Sequence, residues 1–115
     1  MIEKLMLSPN IIGLIFILAG LIQMIFPPKK INSLYGYRTP KSMKNIKVWN
    51  FAQKLSSRIL ILMGCLLNLF GIIAVFLGLE EVLINSFEIG IMLLFALILF
   101  FYTENAIKKK FPQDL

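Results

Sequence analysis

Between Ile59 and Leu79 the chain runs for twenty-one residues without a charged side chain. At about 1.5 Å per residue, a helix of that length reaches roughly 30 Å, the thickness of a bilayer's hydrocarbon core. Backbone N–H and C=O groups in hydrocarbon have only one another as partners, so an isolated run of this kind must be helical. A second run, from Val82 to Tyr102, is also twenty-one residues long and is interrupted by Glu88 alone. Only Glu80 and Glu81 separate the two, which makes these helices antiparallel neighbours. A third apolar run begins behind Ser8 and Pro9, a cap residue followed by proline at the first helical position, and stops at Pro27 and Pro28. Its residues 9–26 just cross a bilayer core. A cleavable leader is the competing reading of this first run. Ala19-Gly20-Leu21-Ile22 makes a poor cleavage site and the positive charges follow the run, so a retained anchor is expected.

Composition points the same way. Of 115 residues, 58% are hydrophobic and 16% charged, which is too apolar and too short a chain to enclose its apolar surface in a water-soluble core. Lipid is the expected solvent. The balance of 12 Lys and Arg against 6 Asp and Glu would suggest nucleic acid in a soluble domain. Here the cations sit in loops beside apolar runs, so anionic lipid headgroups are the expected partner and no direct nucleic-acid contact is expected. There is no histidine, and the one cysteine, Cys65, lies inside an apolar run. An intrachain disulfide is impossible, no metal or other cofactor is expected, and an enzyme is the least expected class.

Orientation follows from the cations, because Lys and Arg near span ends are held on the cytoplasmic side. The segment 27–58 carries Lys29, Lys30, Arg38, Lys41, Lys44, Lys47, Lys54 and Arg58, and the tail carries Lys108, Lys109 and Lys110. Three spans put these eleven on one side and leave Lys4 alone on the other. The expected topology is an N-terminus outside a bacterial cell membrane, with the loop 27–58 and the C-terminus in the cytoplasm. The expected fold is all-α: one module over residues 1–115, an integral membrane bundle of three transmembrane helices (about 9–26, 59–79 and 82–102) with a basic amphipathic cytoplasmic helix between the first two.

That loop helix is expected from Pro40 to Arg58, capped by Thr39. Apolar Val48, Phe51, Ala52, Leu55 and Ile59 recur at three- and four-residue steps, while Lys41, Lys44, Lys47, Lys54 and Arg58 fall mostly elsewhere. It reads either as an interfacial helix with Trp49 at headgroup depth or as a dock for a soluble partner.

Ahead of it, Asn32 is followed after three residues by Gly36-Tyr37-Arg38-Thr39-Pro40, then Lys41-Ser42-Met43, then Trp49 six residues on. With Pro27, Asn45 and the pair Ala52-Gln53, this string resembles the SdpI family of bacterial membrane proteins. The likeness covers residues 10–80 in order, with a further apolar span following. It departs from the family at Ile46-Lys47, where an acidic residue is common, and the named member carries another helical region ahead of the module. What the resemblance implies is a three-helix membrane module. Its named member protects a bacterium against its own secreted killing peptide and captures a transcriptional repressor at the membrane.

The residues of the string also carry a physical reading of their own. Glycine at 36 permits a turn, Arg38 presents a planar fork of donors, and Thr39-Pro40 opens a helix whose free N–H groups attract anions. Together these are expected to form a phosphate or carboxylate pocket at the inner surface. Alternatively, Arg38 bonds the carbonyls left free where the first helix ends, with Tyr35 and Tyr37 as interfacial anchors.

Within the spans, Gly64, Gly71 and Gly78 recur every seven residues near Asn68, and Gly13 and Gly20 keep the same interval near Gln23. These small-residue faces are expected to pack together, with Asn68 or Gln23 supplying an interhelical hydrogen bond. Ser86 and Gly90 give the third span a small face of its own, for the bundle or for a second copy in a homo-oligomer. Glu88 is the one acid inside a span, six residues past Val82. Either it reaches the outer interface, or it meets a cationic or amphipathic peptide arriving from outside.

Three roles follow as expectations. The first is immunity or resistance to a membrane-active toxin peptide by stoichiometric binding. The second is a signalling scaffold whose lysines recruit a cytoplasmic repressor, and the third is an envelope protein binding an anionic lipid or lipid-linked phosphate through Arg38. The residues in play are Asn32, Gly36, Tyr37, Arg38, Thr39, Pro40, Lys41, Ser42, Met43, Trp49 and Glu88.

Overall fold

The structure is a computed structural model that describes residues 9–115, with side chains from Ile11 onward. Ser8 and Lys4, invoked above as a cap and as an outer cation, lie outside the described residues. Three helices account for most of the chain: α1 (Pro9–Ile25), α2 (Ile46–Phe76) and α3 (Glu81–Lys110), followed by one short 3-10 turn, Pro112–Asp114. No strand occurs among the described residues. α2 and α3 are long and apolar enough to cross a membrane, whereas α1 is a shorter apolar helix of 17 residues. Large apolar side chains such as Leu14, Leu18, Leu62, Leu69, Leu93 and Phe101 face outward from all three helices. A surface of that kind is compatible with lipid contact.

The helix ends follow from local chemistry. α1 stops at Ile25, two residues ahead of Pro27, as the Pro-Pro pair demands. α2 ends in a Schellman motif: the Leu79 N–H donates to the Ala74 carbonyl at 3.2 Å and the Gly78 N–H to the Val75 carbonyl at 3.0 Å. Gly78 takes φ +74°, a conformation that favours glycine. The link from Leu77 to Glu80 is therefore a tight turn, and α3 returns antiparallel to α2.

The start of α2 corrects the expectation of a helix running from Pro40. Thr39 does cap a turn: its N–H donates to Ser42 Oγ at 2.8 Å, and the Ser42 N–H donates to Thr39 Oγ1 at 3.1 Å. The turn closes with Met43 N–H on the Thr39 carbonyl at 3.1 Å and Lys44 N–H on the Lys41 carbonyl at 3.3 Å, and ends there. Asn45 then adopts an extended backbone and its side-chain oxygen accepts the Val48 N–H at 2.9 Å, so α2 begins at Ile46. A second strong cap residue so close behind the first breaks what periodicity alone reads as one helix.

α1 and α2 pack with their backbones nearly touching. A Cβ on Gly64 would lie 2.6 Å from the Gly13 carbonyl oxygen, and one on Gly13 would fall on Asn68 Oδ1. The expected small-residue face is therefore the α1–α2 seam, and only glycine allows that approach. Gly78 does not share it, being spent on the turn. α3 buries Ile84 and Glu88 near its start and Thr103 and Ile107 near its end. Its middle turns stay exposed or half-exposed, and a Cβ on Gly90 would meet nothing within 4 Å. At the loop end Val48 and Ala52 of α2 enclose Ile107 and Phe111, with Phe51 edge-on to Phe111 at 5.5 Å.

Candidate functional site

The loop between α1 and α2 is held by side chains rather than by regular structure. Asn32 Oδ1 accepts the N–H groups of Leu34 and Tyr35, and its amide donates to the Lys30 carbonyl. This folds the chain back beneath α1, where the Tyr35 hydroxyl donates to the Phe26 carbonyl at 2.7 Å, with the Ile22 carbonyl at 3.2 Å. Tyr35 thus satisfies the orphan carbonyls that a helix end leaves, the role proposed above for Arg38. Trp49 is fully buried and its Nε1–H donates to the Pro28 carbonyl at 2.6 Å. It is a strut between loop and helix, enclosed by protein rather than exposed on the surface.

Gln53 is the hub of the arrangement. Its amide nitrogen donates to the Tyr37 carbonyl at 2.7 Å while its amide oxygen accepts the Tyr37 N–H at 2.7 Å. The side chain therefore pairs with the loop backbone as a neighbouring strand would. From α1, the Gln23 amide reaches Gln53 Oε1, the Gln53 carbonyl and Ser56 Oγ at 2.8–3.1 Å. Gly36 lies against the hub with φ +103°, and a Cβ there would come within 2.5 Å of Gln53 Oε1. Glycine at 36 is thus required twice, by its backbone conformation and by the closeness of Gln53.

The loop is also fastened to α3. The Tyr37 hydroxyl donates to Glu104 Oε1 at 2.8 Å, and Lys41 Nζ lies 3.9 Å from Glu104 Oε2. Burial, together with the neighbouring Glu104 carboxylate, pushes the Tyr37 phenol well above its ordinary pKa. Ser42 is buried and its hydroxyl lies within reach of the Tyr37 and Thr39 carbonyls, while Pro40 is exposed and Met43 half-buried.

Arg38 is exposed and makes no side-chain hydrogen bond to the described residues; it lines a cleft of about 260 Å³ beside Gln23, Gly36 and Ser56. Next to it, the Thr39 and Ser42 amides are already used within their own turn. Two of the N–H groups at the start of that turn are therefore occupied.

Glu88 lies near the other end of α3. It is 1% exposed, and neither carboxylate oxygen has a hydrogen-bond partner among the described residues. It therefore faces inward and not toward an outer surface. The side-chain oxygens of Asn85, one turn before it, and of Asn68 on α2 are likewise buried without partners. Sixteen residues separate Glu88 from Glu104 on one helix, about 24 Å of axis, so the acid and the loop string do not converge. Among the described residues no three His, Cys, Asp or Glu side chains gather as a metal site would require.

Sequence reasoning anticipated an interhelical bond from Gln23 and missed Gln53 and Glu104 as the groups that hold the loop. The available signal for Gln53 was its place one turn after Trp49 in the string quoted above.

A helical module with two spanning-length apolar helices and a loop pinned by a Gly-Tyr-Arg-Thr-Pro string defines a small class of membrane-type protein. The chain belongs to the SdpI/YfhL protein family, whose model matches residues 29–103. It is 39% identical over 98 residues to YfhL of Bacillus subtilis (strain 168), an alignment that covers 84% of this chain and 82% of that protein. No solved structure matches it.

Proposed function

We propose that this chain is a three-span protein of the bacterial cell membrane that confers immunity or resistance to a membrane-active peptide by stoichiometric binding. In this reading the N-terminus faces outward and the loop 27–58 and the C-terminus face the cytoplasm. Family membership supports the class of role, and the eleven cations of loop and tail support the orientation. One observation carries the mechanism: Glu88 is buried near the start of α3, an end this topology puts outside, with both oxygens unpartnered among the described residues. A carboxylate withdrawn from water without a partner is costly, and a cationic group of an incoming amphipathic peptide offsets that cost on binding.

Expression in a sensitive host, followed by challenge with toxins of this family's type, tests the proposal. Wild type is expected to protect, and Glu88→Gln at equal membrane abundance is expected to lose protection. Killing that proceeds unchanged despite good wild-type expression rejects the role. Protection that survives Glu88→Gln rejects the assignment of that carboxylate.

A further inference from the structure

Where α1 ends against the first turns of α2, a cleft of about 340 Å³ opens beside Gln23, Asn50, Gln53, Lys54, Ser57 and Arg58. Lys54 and Arg58 are one helical turn apart and both are exposed. The ion pair found among the described residues joins Lys41 to Glu104, so neither cation of the cleft has an acidic partner there. Like charges at this spacing repel and weaken a helix. An anion between them reverses the sign of that interaction.

The inner wall is rigid. Gln23 and Gln53 are tied to each other and to the loop, and Ser57 Oγ donates to the Lys54 carbonyl at 2.8 Å. The Asn50 amide is exposed and uncommitted among the described residues. Met24 and Pro27 form the apolar lip of the same cleft, at the end of α1. The charge-free run of α2 begins at Ile59, directly after Arg58. The cleft therefore sits at the level where headgroup gives way to hydrocarbon.

We infer that this cleft seats the phosphate of an anionic phospholipid of the inner leaflet, clamped by Lys54 and Arg58 with the Asn50 amide as a further donor. Arginine matches phosphate with two parallel donors and lysine adds a point charge. A free phosphate shares that chemistry, but the apolar lip gives acyl chains a surface along α1 and favours the lipid. The inference requires α1 and α2 to lie in a bilayer and is independent of peptide binding. Lys109, exposed in the last turn of α3 and outside this cleft, serves as the control.

The test is native mass spectrometry of the full chain in detergent, titrated with phosphatidylglycerol, with phosphatidylcholine, and with glycerol phosphate as the soluble competitor. Wild type is expected to retain phosphatidylglycerol in preference to phosphatidylcholine. Removing two basic contacts in Lys54→Gln/Arg58→Gln is expected to weaken that retention about thirty-fold. Lys109→Gln is expected to behave as wild type.

Equal retention by wild type and the double variant overturns the inference, as does an equal loss in Lys109→Gln. Release of bound lipid by equimolar glycerol phosphate assigns the site to soluble phosphate and overturns the lipid. A chain that is monodisperse without detergent refutes the membrane embedding itself, a different result from unaltered lipid retention.

Discussion

Replacing Gln53 by leucine keeps the bulk of the side chain and removes the amide that joins α1, the loop and α2. The Tyr37 N–H then loses its partner, while the Tyr37 carbonyl keeps the Ser42 hydroxyl at 3.3 Å. Gln23 is less affected, because its amide retains the Gln53 backbone carbonyl and Ser56 Oγ. The cost is thus one orphaned buried donor, worth roughly 1–3 kcal/mol, plus about 1 kcal/mol for the net bond lost on the carbonyl side. The expected destabilisation is about 2–4 kcal/mol. Gln23→Leu orphans no backbone group and removes only interhelical bonds, so about 0.6–2 kcal/mol is expected there. Trp49 is the sole tryptophan and is buried against the same loop, so its emission follows the site as it opens. Reversible unfolding in mixed micelles, followed by that emission, gives both free energies. A Gln53→Leu protein within about 0.5 kcal/mol of wild type, or one less perturbed than Gln23→Leu, would refute the hub.

Two further outcomes test the packing and the latch to α3. Gly64→Ala is expected to destabilise the same unfolding transition, because the new Cβ meets the Gly13 carbonyl and the Ile17 backbone nitrogen; Gly90→Ala, with open space around it, is expected to be neutral or to gain up to about 1 kcal/mol from helix propensity. In an alkaline titration of phenolate absorbance, the folded protein is expected to show a tyrosine that ionises well above pH ~10, and Tyr37→Phe is expected to remove that component. Because the Tyr37 pKa is raised on folding, its contribution to stability is full below the unfolded phenol's pKa. That contribution is lost as pH rises toward the folded value.

The sequence by itself determined the helices and their stops. Charge-free runs can satisfy their backbones only internally, and Pro27-Pro28 ends a helix on steric grounds, whereas the turn at Gly78 emerged only in the structure. Gly13 and Gly64 marked a seam because a missing Cβ is visible in a sequence. These features depend on neighbours within one or two turns. Tertiary structure decided the partners of polar and aromatic side chains. Tyr35 rather than Arg38 caps α1, Trp49 is a buried strut on the Pro28 carbonyl, and Gln53 binds a backbone sixteen positions away. Glu104 holds Tyr37 across sixty-seven positions, and Glu88 turns inward rather than to the surface. A hydrogen bond needs atoms within about 3 Å and a favourable angle. Helical periodicity fixes the face on which a side chain stands, but which donor across a helix seam meets it depends on the packing of all three helices at once.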